Sequence, residues 1–149
     1  MKSTALQCAV GLLARREYSE LEIQQKLKQR EYQQSDIDAA IAQLLKKNYL
    51  SDDRFAETVC RYRSNRGYGW QYIANELKQK GVCSTIIHQL HKNCEIDWYL
   101  QAELAYNKRF GIKTIFDQKD KAKRIRFLQY RGFSTEEILT VVNANYAYE

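Results

Sequence analysis

Residues 68–87 read YGWQYIANELKQKGVCSTII, and the pattern of this segment recurs twice elsewhere in the chain. A shift of 50 positions towards the amino terminus matches it to YSELEIQQKLKQREYQQSDI at residues 18–37, where Tyr, Ile, Leu, Lys and Gln recur in register. A shift of 51 positions the other way matches it to DKAKRIRFLQYRGFSTEEI at residues 120–138, with Leu128 in the place of Leu77. Similarity at a fixed period of this length predicts tandem structural repeats.

Each repeat is predicted to contain three helices. Apolar residues follow a helical spacing through most of the chain, and the sequence has no proline and only six glycines to interrupt a helix. The repeats are assigned to residues 1–50, 51–95 and 96–149. The helices are expected at roughly 4–16, 19–30, 35–47, 52–65, 69–80, 84–95, 96–109, 118–131 and 135–145. Because one such repeat has a thin core, the repeats must share apolar faces, and the predicted fold is all-α, with three tandem three-helix repeats forming an elongated, curved molecule.

Residue types at the helix ends support this assignment. Three segments have the composition of a capping box, in which two side chains satisfy free backbone N–H groups at a helix start. These are Thr4-x-x-Gln7, Ser19-x-x-Glu22 and Ser134-x-x-Glu137. Gly81 and Gly132 stand where a helix would end in a left-handed residue.

The composition fits a protein that folds without covalent cross-links in a reducing compartment. The four cysteines, Cys8, Cys60, Cys83 and Cys94, are scattered and form no C-x-x-C pair, which favours buried thiols over a disulfide framework. The amino-terminal stretch MKSTALQCAVGLLARR combines a lysine with an apolar run, but Gln7 interrupts that run directly before Cys8 and two arginines follow it. We interpret it as a first helix and expect a cytoplasmic protein with no membrane association.

The net charge is +6, distributed as +2, +1 and +3 over residues 1–50, 51–100 and 101–149. This excess is mild and spread along the chain. It permits a polyanionic partner without proving one.

The segment SDDRFAETVCRYRSNRGYG at residues 51–69 begins with two carboxylates, Asp52 and Asp53. Both fall at the predicted start of a helix, where carboxylates accept backbone N–H bonds and interact favourably with the helix dipole. A catalytic acid pair would need surroundings that separate the two pKa values, and usually a third group. We therefore predict structural capping by Asp52 and Asp53, no catalytic residue and no cofactor, and hence a protein that is not an enzyme.

Cations follow along the same helix. The apolar face is formed by Phe55, Val59 and Tyr62. Arg54 and Arg61 lie on the opposite side, with Glu57 between them and within reach of both.

Arg63 is predicted to lie on the buried flank of this helix, where a charge must be paired or lie in a groove. Two interpretations stay open: an ion pair with Glu17 or Asp36, and a cationic group held at the junction of two repeats. Arg66 and the R-G-Y-G turn follow, so that guanidinium, aromatic ring and bare backbone occur together, as phosphate or an acidic protein surface would require.

The third repeat has the densest basic cluster: Lys119, Lys121, Lys123, Arg124, Arg126 and Arg131. Lys119, Lys123 and Arg126 share one helix face with Tyr130, opposite Leu128. This face is either solvated or follows phosphates, and the sequence leaves both interpretations open.

Two smaller groups complete the candidates. Lys78 and Lys80 stand at a predicted helix end, where cations also suit the dipole. His88, His91 and Cys94 are spaced three residues apart and drift around a helix too far to share a metal ion, so no metal site is predicted.

Three stretches, in this order, resemble the RecX family, regulators of the RecA recombinase. LLARREYSELEIQQKLKQREY at residues 12–32 is similar to the family's first repeat, YLSDDRFAETVCRYRSNRGYGWQYIANELKQKGV at residues 49–82 to its central signature, and KAKRIRFLQYRGFSTEEILTVV at residues 121–142 to its third repeat. The resemblance covers nearly the whole chain and implies three tandem three-helix repeats.

The resemblance also implies a non-enzymatic regulator that binds along the RecA–single-stranded-DNA filament. Such regulators block ATP hydrolysis, strand exchange and co-protease function, and so act on homologous recombination and the SOS response. The cations expected to contact this partner or a nucleic acid are Arg54, Arg61, Arg63, Arg66, Lys78, Lys80, Lys119, Lys123 and Arg126. A monomer and weak direct binding to DNA are further expectations. The alternative is a DNA-binding module of helix-turn-helix type, which would need a recognition helix with concentrated base-reading side chains.

Two positions depart from the family pattern. Glu31 stands where the family usually has glycine, and a left-handed glutamate costs about 1–2 kcal/mol, so an irregular helix end is expected there. Trp70 stands where proline is common, and its spacing from Ile73 and Leu77 favours core packing over base stacking.

Overall fold

The computed structural model describes residues 2–145, which form nine α-helices and no strand. The helices are α1 (Ala5–Leu13), α2 (Glu20–Gln29), α3 (Gln34–Lys46), α4 (Asp52–Asn65), α5 (Trp70–Gln79), α6 (Ser84–Asn93), α7 (Trp98–Phe110), α8 (Gln118–Tyr130) and α9 (Thr135–Ala144). Each lies within a few residues of a predicted helix. The predicted all-α fold of tandem three-helix repeats is confirmed.

The chain divides into two compact units. Unit 1 consists of the residues up to Val59 together with Leu77–Lys92, and unit 2 of Cys60–Glu76 together with the residues from Asn93 onward. Helices α1, α2 and α3 belong to unit 1 and α7, α8 and α9 to unit 2, whereas α4 and α5 contribute residues to both.

In unit 1, α1, α2 and α3 pack on one another around apolar side chains spaced at helical intervals. Ile23 and Leu27 of α2 meet Ile37 and Leu44 of α3, and all four are almost completely buried. Burying such a side chain stabilises the fold by about 1.5–3 kcal/mol.

In unit 2, α7, α8 and α9 pack on one another around a second core. Ala102 and Tyr106 of α7, Leu128 of α8, and Ile138 and Val142 of α9 are buried there. This core is the scaffold on which the basic residues of α7 and α8 are carried.

The predicted capping boxes are present at the starts of three helices. Thr4 with Gln7, Ser19 with Glu22, and Ser134 with Glu137 each form both reciprocal hydrogen bonds. These bonds satisfy backbone donors that a helix start leaves without an intrahelical partner.

The equivalent helix ends share one left-handed geometry. Glu31, Gly81 and Gly132 have φ of 66°, 81° and 92°. In each case the next residue donates its N–H to the carbonyl five positions back, at 3.2 Å from Tyr32 to Leu27, 3.0 Å from Val82 to Leu77 and 3.2 Å from Phe133 to Leu128. The three ends are 50 and 51 positions apart, so the sequence repeat is also a structural one.

The expected irregularity at Glu31 was wrong. Glu31 keeps the left-handed conformation of the glycine positions, and its N–H bonds the Lys28 carbonyl at 3.0 Å. The side chain is exposed, so the strain of about 1–2 kcal/mol is confined to the backbone and is offset by the hydrogen bonds that close the helix end.

Candidate cationic binding surfaces

The start of α4 is capped by Ser51 and not by Asp52 and Asp53 as predicted, and Asp52 caps the start of α2 instead. Ser51 Oγ accepts the backbone N–H of Arg54 at 3.2 Å, while Asp52 and Asp53 lie in the first turn. Asp52 Oδ1 accepts the backbone N–H of Glu20, the first residue of α2, at 2.8 Å. Burial raises the pKa of the Asp52 carboxyl, against the lowering effect of that bond. Asp52 therefore links the start of α4 to the start of α2 within unit 1.

Arg54 is held by a partner outside its own helix. Its Nε lies 3.1 Å from Glu17 Oε1, and its Nη2 donates to the Tyr49 carbonyl at 3.1 Å. Glu57 forms no ion pair within residues 2–145, contrary to the helical spacing that placed it between Arg54 and Arg61. Arg61 is exposed.

Lys80 is engaged in an ion pair, whereas Lys78 is exposed to solvent. Lys80 Nζ lies 3.3 Å from Glu22 Oε2, and Arg16 Nη2 lies 3.2 Å from the same oxygen. Burial alone would raise the pKa of the Glu22 carboxyl, but hydrogen bonds from Arg16 and from the Ser19 amide, with the charges of Arg16 and Lys80, hold it below its usual value. Lys80 therefore stabilises unit 1.

Arg63 forms a two-point ion pair with Glu76 of α5. Nε lies 2.7 Å from Oε1 and Nη2 lies 3.2 Å from Oε2. The predicted partners, Glu17 and Asp36, were wrong. A bidentate pair suits the planar guanidinium, and the bonds to Glu76 raise the pKa of Arg63.

Aromatic rings surround this ion pair and extend from it to the surface. The Arg63 guanidinium lies 5.4, 5.6 and 5.7 Å from the ring centres of Tyr62, Tyr68 and Tyr72. Arg66 lies 4.1 Å from the ring centre of Tyr62. Tyr62 was expected on the apolar face, yet 50% of it is exposed, and it forms a platform for Arg66.

The R-G-Y-G turn is fixed by close backbone approach within unit 2. The Gly69 N–H donates to the Arg131 carbonyl at 2.7 Å, and Arg131 Nη1 donates to the Arg66 carbonyl at 2.9 Å. A Cβ at Gly69 would lie 2.6 Å from the Gly132 carbonyl oxygen, so the turn leaves no room there for a side chain.

Trp70 follows this turn at the start of α5 and packs as predicted against other apolar groups. It is partly buried, and its ring centre lies 5.9 Å from that of the buried Trp98.

The basic cluster of α8 separates into buried and exposed cations. Arg124 is 4% exposed and donates to the Tyr106 hydroxyl at 2.6 Å, with an ion pair to Asp120 at 3.0 Å. Its remaining bonds go to the carbonyls of Lys113 and Thr114. Arg124 therefore ties α7, the following loop and α8 together.

The side of α8 for which solvation and phosphate binding were both left open lies on the surface. Lys119, Lys123 and Arg126 are exposed, and Tyr130 is 88% exposed. Leu128 is buried in the core, as expected for the opposite side of the helix.

The sequence did not single out Lys108 and Arg109, the cations in the last turn of α7. Together with Arg66 and Arg131 they line a cavity of about 420 Å³ in unit 2. Their position at a helix end is the usual place for dipole-stabilising cations, so residue type alone carried no signal of a site.

The thiols follow the predicted burial only in part. Cys8 and Cys60 are buried, Cys83 is exposed and Cys94 is half-buried. Burial raises the pKa of the Cys60 thiol to about 11, which keeps it protonated and unreactive at neutral pH.

Across residues 2–145, no group of three or more His, Cys, Asp or Glu side chains is placed to hold a metal ion. Over the same part of the chain, no helix has the length and apolar character needed to cross a membrane.

The fold and its repeated helix ends define an all-α tandem-repeat protein. Three RecX family models, described as the first, second and third three-helix domains of RecX, match residues 5–44, 51–90 and 95–142. The chain belongs to the RecX family of regulatory proteins.

Two relatives agree with this assignment. The chain is 43% identical over 133 residues to "Regulatory protein RecX" of Vibrio parahaemolyticus serotype O3:K6, covering 89% of this chain and 85% of the relative. It is 36% identical over 143 residues to the protein of the same name from Actinobacillus pleuropneumoniae serotype 5b, covering 96% and 93%.

A solved structure shares the fold. The crystal structure of RecX from Lactobacillus salivarius superposes with a TM-score of 0.74, covering 94% of this chain and 93% of that chain at 19% identity.

Proposed function

We propose that this protein binds the RecA–single-stranded-DNA filament and inhibits its ATP hydrolysis, strand exchange and co-protease function. It acts without chemistry of its own, as a monomer in the cytoplasm. Its three repeats, at residues 1–50, 51–95 and 96–149, are the units that contact successive parts of the filament. The proposal extends the regulatory role that the names of its relatives state.

The observation that supports this proposal best is that the central signature contains two kinds of residue, those that maintain the scaffold and those that are exposed to solvent. Phe55, Ala56 and Cys60 are buried, and Arg63 is held by Glu76, so these residues maintain the scaffold. The adjacent Arg61, Tyr62 and Arg66 are presented to solvent. A helix end and its following turn that display guanidinium groups beside an aromatic ring suit phosphate and carboxylate partners.

The exposed face of α8 supplies a second cationic surface. Lys119, Lys123 and Arg126 lie on it with Tyr130, and an aromatic ring among cations suits single-stranded nucleic acid. Arg54 and Lys80, which are engaged in ion pairs, would contribute to contacts through the surface that they stabilise rather than as free charges.

The test is RecA ATP hydrolysis on single-stranded DNA with this protein titrated in. We expect hydrolysis to fall as the protein is added, and the variant Arg61→Glu/Arg66→Glu to need a higher concentration for the same effect. A matched control, Lys46→Glu/Lys47→Glu, makes the same charge change at exposed residues at the end of α3. Unchanged hydrolysis at saturating protein would reject the proposal, and tight, sequence-selective binding to duplex DNA would favour a helix-turn-helix module instead.

A further inference from the structure

The cavity in unit 2 lies where the ends of α4, α7 and α8 meet. Its volume is about 420 Å³, within the range of about 300–1,000 Å³ of small-ligand sites. The residues that matter for its chemistry are Arg66, Leu104, Lys108, Arg109, Phe127 and Arg131. All belong to unit 2, so the cavity is formed within one compact part of the molecule.

The charge lining the cavity has one sign. Four of its lining residues, Arg66, Lys108, Arg109 and Arg131, are cations, and none of the described residues that line it is an aspartate or glutamate. None of the four forms an ion pair with a carboxylate of residues 2–145, unlike Arg63 in the same unit. Like charges gathered without a counter-charge repel one another and create a positive potential that an anion would relieve.

The guanidinium group of Arg131 is held in place before any ligand arrives, and that of Arg109 lies near the same Phe127 ring. Arg131 Nη1 donates to the Arg66 carbonyl at 2.9 Å, and its guanidinium lies 4.8 Å from the Tyr68 ring centre and 5.1 Å from that of Phe127. Arg109 lies 5.9 Å from the Phe127 ring centre. Stacked guanidinium groups keep their N–H edges available, and an anion can bind them with little loss of side-chain freedom.

The other lining groups are apolar. Leu104 is 53% exposed although it lies on a helix whose other face is buried, and Phe127 is half-buried. Stabilising the α7 dipole would account for Lys108 and Arg109 but not for an exposed leucine beside them. A ligand that suits both the cations and the apolar residues of the cavity carries phosphate together with a planar, largely apolar group. A nucleotide has this chemistry.

Tyr62 favours a strand over a free nucleotide. It is 50% exposed, is not among the residues lining the cavity, and stacks with Arg66, which is among them. The cation and aromatic surface therefore continues outside the cavity, as a platform for a neighbouring base requires.

We propose that this cavity holds one nucleotide of single-stranded DNA, with the phosphate among the four cations and the base against Leu104 and Phe127. The biological source of the strand rests on the proposed function, because the filament contains single-stranded DNA. The binding itself does not, and it is measured without RecA.

The experiment is the binding of a fluorescein-labelled oligothymidylate of about 10 nucleotides to the full chain, followed by fluorescence anisotropy at several salt concentrations. Two matched pairs of variants separate the cavity from general charge. Lys108→Gln is paired with Lys113→Gln, because Lys113 is exposed and does not line the cavity. Leu104→Asp is paired with Leu100→Asp, because Leu100 is 47% exposed and lies one turn earlier on α7.

We expect Lys108→Gln to weaken binding about fivefold and to flatten the slope of log K against log salt by about 0.7, the value for one lost phosphate contact. Leu104→Asp, which places an anion in the cavity, should weaken binding about tenfold or more. The two controls should change affinity less than about twofold, since they alter charge without touching the site. Circular dichroism shows that each variant is folded.

Three results would overturn the proposal. The first is no binding of the oligonucleotide at low salt, or equal effects for both members of each pair. The second is displacement of the oligonucleotide by equimolar thymidine triphosphate, which would make the cavity a site for a free nucleotide. The third is loss of RecA inhibition in Lys108→Gln and Leu104→Asp with oligonucleotide binding intact, which would make the occupant a protein surface. If the wild type fails to inhibit RecA but these pairs differ as expected, only the proposed function fails.

Discussion

Some arginine residues of this chain stabilise the fold through ion pairs, and others are exposed at the surface. Arg63 and Arg124 form ion pairs with Glu76 and Asp120, and both stabilise contacts within unit 2. Arg66, close to Arg63 in sequence, is exposed and stacks with an exposed tyrosine. Charge alone therefore does not identify a contact residue, because the same side chain type serves as scaffold or surface according to its neighbours.

Replacing Arg63 should act on stability, and replacing Arg66 on function. We expect Arg63→Ala to lower the free energy of unfolding by about 1–2 kcal/mol, because the Glu76 carboxylate, 20% exposed, loses a bidentate partner. Arg66→Ala should change it by less than about 0.5 kcal/mol but weaken inhibition of RecA. Urea denaturation followed by circular dichroism measures the first effect. An unchanged midpoint for Arg63→Ala would show that the pair with Glu76 contributes nothing measurable.

Helix starts and ends could be predicted from the sequence because they depend on residues three to five positions apart. The capping boxes and the helix ends with a left-handed glycine both depend on interactions over this short range. The partner of Arg63 could not be predicted in the same way, because Glu76 lies 13 residues away on another helix. The burial of Arg124 was equally hidden, since Tyr106 and two loop carbonyls supply its partners from outside α8.

The turn between α8 and α9 should tolerate no side chain at Gly132. Gly132 has φ of 92°, and a Cβ there would collide with the backbone of Tyr72. Gly132→Ala should therefore destabilise the protein by about 3 kcal/mol or more, adding overpacking to backbone strain. Gly111→Ala is the control for backbone strain alone, because Gly111 has φ of 65° and ψ of −146°, a region almost restricted to glycine, but nothing within 4 Å of its Cβ position; it should cost about 1–3 kcal/mol, less than Gly132→Ala. Equal losses of stability in urea would contradict this account of the turn.

The exposed face of α8 is predicted to follow phosphates. Reversing Lys119, Lys123 and Arg126 to glutamate should weaken binding to single-stranded DNA and flatten the slope of log K against log salt by about 0.7 for each lost contact. The fold should persist, since Leu128 lies on the buried side of the helix. A folded variant with the affinity and slope of the wild type would show that this face is only solvated.

At the scale of the whole molecule, the all-α repeat fold was predictable because the three repeats carry the same helix pattern and the same helix ends. The division into two compact units was not, since it places parts of α4 and α5 in each. The cavity in unit 2 could not be predicted either, because the residues that line it are far apart in the sequence. It is lined by residues from the second and third repeats, whose sequence positions are up to 67 apart, from Ser64 to Arg131.

The central claim is that the filament itself, rather than bare DNA, is the preferred partner. The direct measurement is the affinity of the labelled protein for RecA filaments preformed on single-stranded DNA with a slowly hydrolysed ATP analogue, against its affinity for the same DNA alone. We expect saturable binding to the filament that is at least about tenfold tighter, a difference of about 1.4 kcal/mol. Equal affinity for filament and bare DNA, or no binding to the filament, would contradict the account.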